Sequence, residues 1–373
     1  MIIKADELKA ISQIILSAVD SNELSLLTET LELIVKDNIF HMNVTNREYY
    51  ASVKLSVNEE NDFHATVNAN LFLKLISQIS TEEIEFNIKN NTLEIKGNGK
   101  YKLPLIYDGD VLLELPKIII KNVTNNFDIK GSVLGSIVQY NSRQLNVGVI
   151  SNPIQRLYYV DEKGAITFTS GACINNFTLE KPIKMLLNNK LVKLFKLFKD
   201  DDKVHFTIGY DNISDEIVQT KVKFENDVIS ISAILSADDS MINSVPATVI
   251  RNRAETNYPY SVVINKETML STINRFLLFT SNGSKFTNAY CKFNFNNVSV
   301  TITDINENNV ETIDYVNQID NMEDTYSMCL DLIDLKSTLE GYVDPYINLK
   351  FGDHEAVTIH RGNIVNVIPE CDI

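Results

Sequence analysis

The sequence has no apolar run long enough to span a membrane, and Lys4, Asp6, Glu7 and Lys9 interrupt the amino-terminal stretch, so no secretory signal is expected. Cysteine is sparse: Cys173, Cys291, Cys329 and Cys371 lie far apart without any CxxC spacing, so reduced thiols in a cytoplasm are expected. The five histidines, His41, His64, His205, His354 and His360, are scattered, and four fall in or beside predicted strands, where a sheet-surface or core role is the ordinary one. No Walker sequence, dinucleotide fingerprint, HExxH or GxSxG occurs. The acidic clusters at Asp200 to Asp202, Asp238-Asp239 and Glu323-Asp324 sit in predicted turns and read as solvated loop charge. Thr169-Ser170-Gly171 looks at first like a nucleophile turn, yet no Gly-rich oxyanion loop or placed base accompanies it. No enzyme, metal site or cofactor is expected.

Basic residues are also in deficit, with 34 Lys and Arg against 49 Asp and Glu and a formal charge of -15. That total argues against a nucleic-acid partner, which needs clustered cations. The distribution argues otherwise. Residues 1–121 hold 12 basic and 18 acidic side chains, residues 122–256 hold 15 and 15, and residues 257–373 hold 7 and 16. The middle third is the least acidic, and its lysines concentrate on one segment. There Leu187, Leu191, Leu194, Phe195 and Phe198 share a helical face while Lys193, Lys196 and Lys199 fan around the other, which predicts an amphipathic helix over 188–199. A solvated surface helix is the plain alternative.

At 373 residues, two or three domains are expected, and a composition of 44% hydrophobic and 22% charged residues is that of a soluble globular protein. Period-two and period-3.6 patterns follow one another in a recurring order of strand, helix, strands, helix, strands. The first helix of each round begins near residues 6, 132 and 266, and the second near 70, 188 and 331. Asp6 is placed to cap the first, and Gly341 to end the last. Boundaries are expected around 115–126 and in the polar stretch between Pro246 and Pro259. The expected domains are 1–121, 122–256 and 257–373, each of sensible domain size.

Three such rounds in an acidic chain resemble the sliding clamp of bacterial replication, the beta subunit of DNA polymerase III. The run Phe63-His64-Ala65-Thr66-Val67-Asn68-Ala69-Asn70-Leu71-Phe72 looks like a first-domain stretch of that family, as do the strands at Ile84 to Ile88 and Leu93 to Ile95. Thr169-Ser170-Gly171 is similar to the family's Thr-Asp-Gly turn, and Val367-Ile368-Pro369 to its hydrophobic-Pro ending. The resemblance implies an α+β fold of three tandem clamp domains, with two helices of each inside and antiparallel sheets outside. Two chains would close head to tail into a homodimeric ring around duplex DNA.

The resemblance further implies DNA-facing cations, for which Lys74, Lys193, Lys196, Lys199 and Arg275 are the candidates. It implies a pocket for short peptide motifs of DNA polymerase and clamp loader, with Ile154, Thr169, Gly171, Ile174, Pro246, Val367, Ile368, Pro369 and Ile373 as candidates; an ordinary core role remains open for Ile174 and Val367. A dimer contact would involve Tyr101, Leu103 and Leu105 on an edge strand and Leu277 and Leu278 on the partner chain. The chain departs from the family where Ala172-Cys173 follow Gly171 in place of His-Arg, and where it ends in the acidic Glu370-Cys371-Asp372-Ile373. Its Asn-rich divergence suggests an AT-rich bacterium or a bacteriophage, with action in the host cytoplasm. A three-domain β-rich structural protein, such as a virion component, is the competing reading.

Overall fold

The computed structural model describes residues 1–20, 25–59, 62–145, 152–212, 218–280, 289–319, 322 and 325–371. One local pattern, strand then helix then three strands, occurs six times in succession, two for each round seen in the sequence. The first is Ile2–Lys4, helix Ala5–Leu16 and strands Thr30–Lys36, Ile39–Thr45 and Tyr49–Ser56. The second is Phe63–Asn68, helix Ala69–Gln78 and strands Glu83–Lys89, Thr92–Lys96 and Lys100–Pro104. Asn68 caps the second helix by accepting the Leu71 N–H at 2.9 Å.

The chain divides into two compact units, Met1–Leu134 with Lys193–Ser236, and Gly135–Val192 with Ala237–Ile373. Sheet pairing explains why the units cut across the three rounds. In the first unit, an eight-stranded antiparallel sheet runs in the order 122–130, 203–212, 218–225, 229–234, 49–56, 39–45, 30–36, 63–68. Its seam joins strand Ile229–Ile234 to Tyr49–Ser56, with Ile231 opposite Ala51, so the first round and the second share one sheet. A separate four-stranded sheet holds Ile2–Lys4, Glu83–Lys89, Thr92–Lys96 and Lys100–Pro104.

The second unit repeats this plan. Its eight-stranded sheet runs 184–187, 158–161, 164–168, 172–176, 364–369, 356–361, 346–351, 260–265, and the seam places Ala172 opposite Val367. Its four-stranded sheet is ordered 310–314, 299–304, 290–295, 326–331. Among the described residues, Lys100–Pro104 and Val310–Asp314, each the last strand of its local pattern, are end strands of four-stranded sheets without an outer neighbour, as Ile2–Lys4 and Tyr326–Asp331 are at the opposite ends. In each eight-stranded sheet the corresponding strand is covered by a neighbour.

The alternating patterns do what half-buried strands require. Along Lys203–Asn212, Val204 and Phe206 are fully buried while Lys203 and His205 are exposed. Phe206 and Phe224 pack at 5.0 Å between ring centroids, and Phe195 closes on Phe224 at 4.7 Å. In the second unit, Phe295 and Phe351 lie 4.1 Å apart in a core that also holds Phe276, Leu332 and Ile347. Burial of each such side chain contributes roughly 1.5–3 kcal/mol. No helix among the described residues is long and apolar enough to cross a membrane.

Three local expectations need correcting. The helix expected over 188–199 is α-helical only over Asn189–Lys193 and continues as a 3-10 turn over Leu194–Leu197. Its end is fixed by the turn that follows, where Asp202 accepts the Lys199 N–H at 2.9 Å and the Gly131 N–H bonds the Asp202 carbonyl at 2.8 Å. Gly131 is required there because a Cβ would collide with the Lys199 carbonyl. The short helix expected from Ser132 is α-helical over Gly131–Ser136 and then widens to a π-helical turn over Ile137–Asn141. The wide turn brings Asn141 into the sheet, where its amide donates to the Cys173 carbonyl at 3.1 Å. Finally, the polar stretch after Pro246, where the sequence suggests only a domain boundary and no helix, forms helix Ala247–Ala254, preceded by helix Asp239–Ser244.

Candidate functional site

That unexpected helix forms one wall of an open, mostly apolar depression in the second unit, about 230 Å³ in volume. Ala247 and Ala254 bury against the sheet, and Val249 and Ile250 turn toward the depression. A sequence this polar is held down by ion pairs. Arg251 makes a two-pronged contact with Asp161, NH1 to Oδ2 and NH2 to Oδ1 both at 2.7 Å, on a nearly buried carboxylate. Arg253 pairs with both Asp353 and Glu355.

The opposite wall is the turn 168–172 and the strand ends carrying Ala356, Val367 and Pro369. The turn is fixed at several points. Thr169 N–H donates to the Gly171 carbonyl at 2.8 Å, Gln144 donates to Thr169 Oγ1 at 2.9 Å, and Gln155 donates to the Thr169 carbonyl at 3.1 Å. A Cβ at Gly171 would stand 2.6 Å from the Val367 carbonyl oxygen, so the close approach of the two strands requires glycine here.

Ser170, the central residue of this turn, donates its hydroxyl to Asp334 of helix Leu332–Glu340. Asp334 is 3% exposed, and its second oxygen, Oδ1, has no hydrogen-bond partner among the described residues. Burial, reinforced by the charge of Asp331, pushes its carboxyl up to about 6 against the lowering effect of the Ser170 bond. Burial likewise raises the thiols of Cys329, to about 11, and Cys371, to about 12, which leaves both neutral near pH 7. Among the described residues, no group of three His, Cys, Asp or Glu side chains is arranged to hold a metal ion.

Of the pocket residues expected from sequence, Thr169, Gly171, Pro246, Val367 and Pro369 line the depression together. Ile154 and Ile174 sit behind it in the apolar cluster on which the helix rests. Ile368 points the other way, into the aromatic core of the unit, as period-two alternation next to Val367 dictates. Ile373 lies outside the described residues. Sequence reasoning missed Val249, Ile250 and Arg253 because their segment read as a boundary. It missed Glu355 because nothing in the chain marked its strand end as facing the Thr169 turn.

Lys74 on helix Ala69–Gln78 and Lys193, Lys196 and Lys199 around the 3-10 turn are all exposed in the first unit. Arg275, in the second, is exposed but engaged: its guanidinium meets Glu311 through Nε at 2.7 Å and NH2 at 2.5 Å. That pair holds the Glu311 carboxyl below its usual range and leaves Arg275 little net charge to offer an anion.

Tyr101 and Leu103 lie on the free edge strand Lys100–Pro104, Leu103 buried and Tyr101 half-buried; Leu105 follows, its N–H bonded to the Asn91 carbonyl at 3.0 Å. In the second unit, Leu277 packs against the aromatic core and Leu278 is 77% exposed. Among the described residues, the end strands of the four-stranded sheet there are Val310–Asp314 and Tyr326–Asp331, neither of which the sequence singled out.

No protein-family model matches the chain. A beta sliding clamp of Mycoplasmopsis pulmonis is 27% identical over 132 residues, a stretch that spans 33% of this chain and 32% of that protein. The structural likeness extends further. The DNA polymerase sliding clamp of Bacillus subtilis superposes with a TM-score of 0.77 at 17% identity, covering 100% of this chain and 98% of that one. The DNA polymerase III subunit beta of Pseudomonas aeruginosa gives 0.79 at 11% identity, with 100% of both chains covered.

Proposed function

Because the whole chain has the three-domain α+β fold of bacterial DNA polymerase sliding clamps, we propose that it is a replication processivity factor, built of domains 1–121, 122–256 and 257–373. As a head-to-tail dimer it encircles duplex DNA, and through short peptide motifs of its partners it tethers a DNA polymerase and is handled by a clamp loader. The observation that carries the reading is the full-length fold match. Two features of the chain support it.

First, six repeated units generate six half-sheets, four of which are fused into the two eight-stranded sheets. The two remaining four-stranded sheets expose Lys100–Pro104 and Val310–Asp314, strands in the same relative positions as the two halves of each fused seam. Pairing the first edge of one chain with the second edge of another repeats an arrangement the chain already makes twice internally, and it covers edges that would otherwise invite aggregation. Second, Lys74, Lys193 and Lys196 on helices and Lys199 in the turn that follows supply exposed positive charge in an otherwise acidic chain. Such contacts attract phosphate without reading sequence, which suits sliding.

The test is retention on DNA. Loaded on a nicked circle, the protein is expected to stay bound through a high-salt wash and to leave when the circle is cut. Release that is indifferent to linearisation would overturn the encircling role. Sedimentation equilibrium showing only monomer at micromolar concentration would overturn the dimer.

A further inference from the structure

The rim of the depression carries charge in an uneven arrangement. Arg253 and Glu355 are the charged residues that line it among those described. Arg253 is already committed, NH1 to Asp353 and NH2 to Glu355, and only 29% of its side chain is exposed. Glu355 remains 61% exposed on its solvent side. Glu370, next in sequence after Pro369, does not line the depression: its carboxylate lies 3.9 Å from His354 Nδ1 and is 20% exposed. Two carboxylates, Asp353 and Glu355, therefore flank one guanidinium, beside the apolar surface of Val249, Ile250, Val367 and Pro369.

From this arrangement we propose, resting on the partner-pocket reading above, that the depression selects peptide segments in which adjacent large apolar side chains are flanked by lysine or arginine, and disfavours those flanked by aspartate or glutamate. The apolar anchors occupy that apolar surface, and the flanking cation meets the exposed face of Glu355. A flanking carboxylate meets that same face with like charge, and it gains the Arg253 guanidinium only by displacing Asp353 or Glu355. Specificity of this kind comes as much from repulsion of the wrong partner as from attraction of the right one.

The experiment uses the full chain and three synthetic fluorescein-labelled peptides, Xaa-Leu-Leu-Leu-Phe-Xaa amides in which both Xaa are Lys, Gln or Glu, titrated by fluorescence anisotropy. The lysine peptide is expected to bind about tenfold more tightly than the glutamate peptide at low salt, the sum of one favourable and one unfavourable rim contact. The ratio should shrink toward one at about 0.5 M salt, where exposed charges are screened. Glu355→Gln should cut the ratio several-fold and Glu355→Lys should invert it, while Val249→Asn should weaken all three peptides alike. Equal binding of the three peptides would sink the selectivity and leave the pocket reading standing, and preference for the glutamate peptide would reverse the proposal. Failure of all three to bind would overturn the selectivity together with the pocket on which it rests.

Discussion

Asp334 ties the wall of the depression to the core, and its energetics can be worked through. The carboxyl is 3% exposed, accepts the Ser170 hydroxyl on one oxygen and has no partner for the other among the described residues. Burial, with Asp331 adding to it, raises its pKa from 3.8 to about 6 in the folded chain. A carboxyl raised in this way is protonated in the folded state at a pH where the unfolded chain has already lost the proton. Its contribution is therefore most favourable below the unfolded value of 3.8, is lost as pH rises through about 6, and is constant above that.

A shift of this size corresponds to on the order of 3 kcal/mol, carried as a cost at neutral pH. Asp334→Asn keeps an oxygen for Ser170, removes the buried charge and adds a donor. It should stabilise the second unit at about pH 7.5, and the advantage should vanish near pH 4. For a unit of roughly 200 residues this is at most about 6–12 °C in Tm by calorimetry. The difference between variant and parent isolates this residue from Glu32 and Asp304, whose lowered pKa values give pH dependences of opposite sign. A Tm difference that stays constant between about pH 4.5 and 7.5 would show that the buried charge of Asp334 is not its source, because an uncharged cause such as altered packing does not titrate.

Three further outcomes are expected. Gly171→Ala places a Cβ 2.6 Å from the Val367 carbonyl, so it should push the turn outward, cost roughly 1–3 kcal/mol and weaken peptide binding in an anisotropy titration without changing the circular dichroism. Arg251→Ala strands the nearly buried Asp161 and should cost about 3–5 kcal/mol, measurable as a lowered Tm, with looser peptide binding because Val249 and Ile250 ride on the same helix. Replacing Lys193, Lys196 and Lys199 with Ala should flatten the salt dependence of initial DNA association by up to about three phosphate contacts, whereas Arg275→Ala, already neutralised by Glu311, should leave it nearly unchanged. Equal effects of the two changes in a filter-binding salt series would contradict that assignment.

The repeat was legible because both of its periods were strong. Tyr290–Phe295 and Ser299–Asp304 come close to alternating, Thr30–Lys36 through Tyr49–Ser56 are apolar over most of their length, and the ends of all of them fall within a few residues of expectation. What escaped was whatever depends on partners distant in sequence. Helix Ala247–Ala254 carries Arg251 and Arg253, and only the folded chain brings Asp161, Asp353 and Glu355 within reach to neutralise them; read alone, such residues look like a linker. Arg275 shows the same dependence on distant partners: its guanidinium pairs with Glu311, 36 positions away, which the sequence does not mark.

The free edges follow from the repeat by a related argument. Each fused seam joins the last strand of a later half-repeat to the last strand of an earlier one, as Ile229–Ile234 meets Tyr49–Ser56 and Ile364–Pro369 meets Ala172–Asn176. A linear chain of such units must leave one strand of each kind without a neighbour, and those strands are Lys100–Pro104 and Val310–Asp314. A period-two pattern shows which residues belong to a strand but not which strands lack neighbours. In the dimer proposed above, such an edge pairs through backbone N–H and C=O groups, which a strand of complementary twist satisfies largely independently of the side chains.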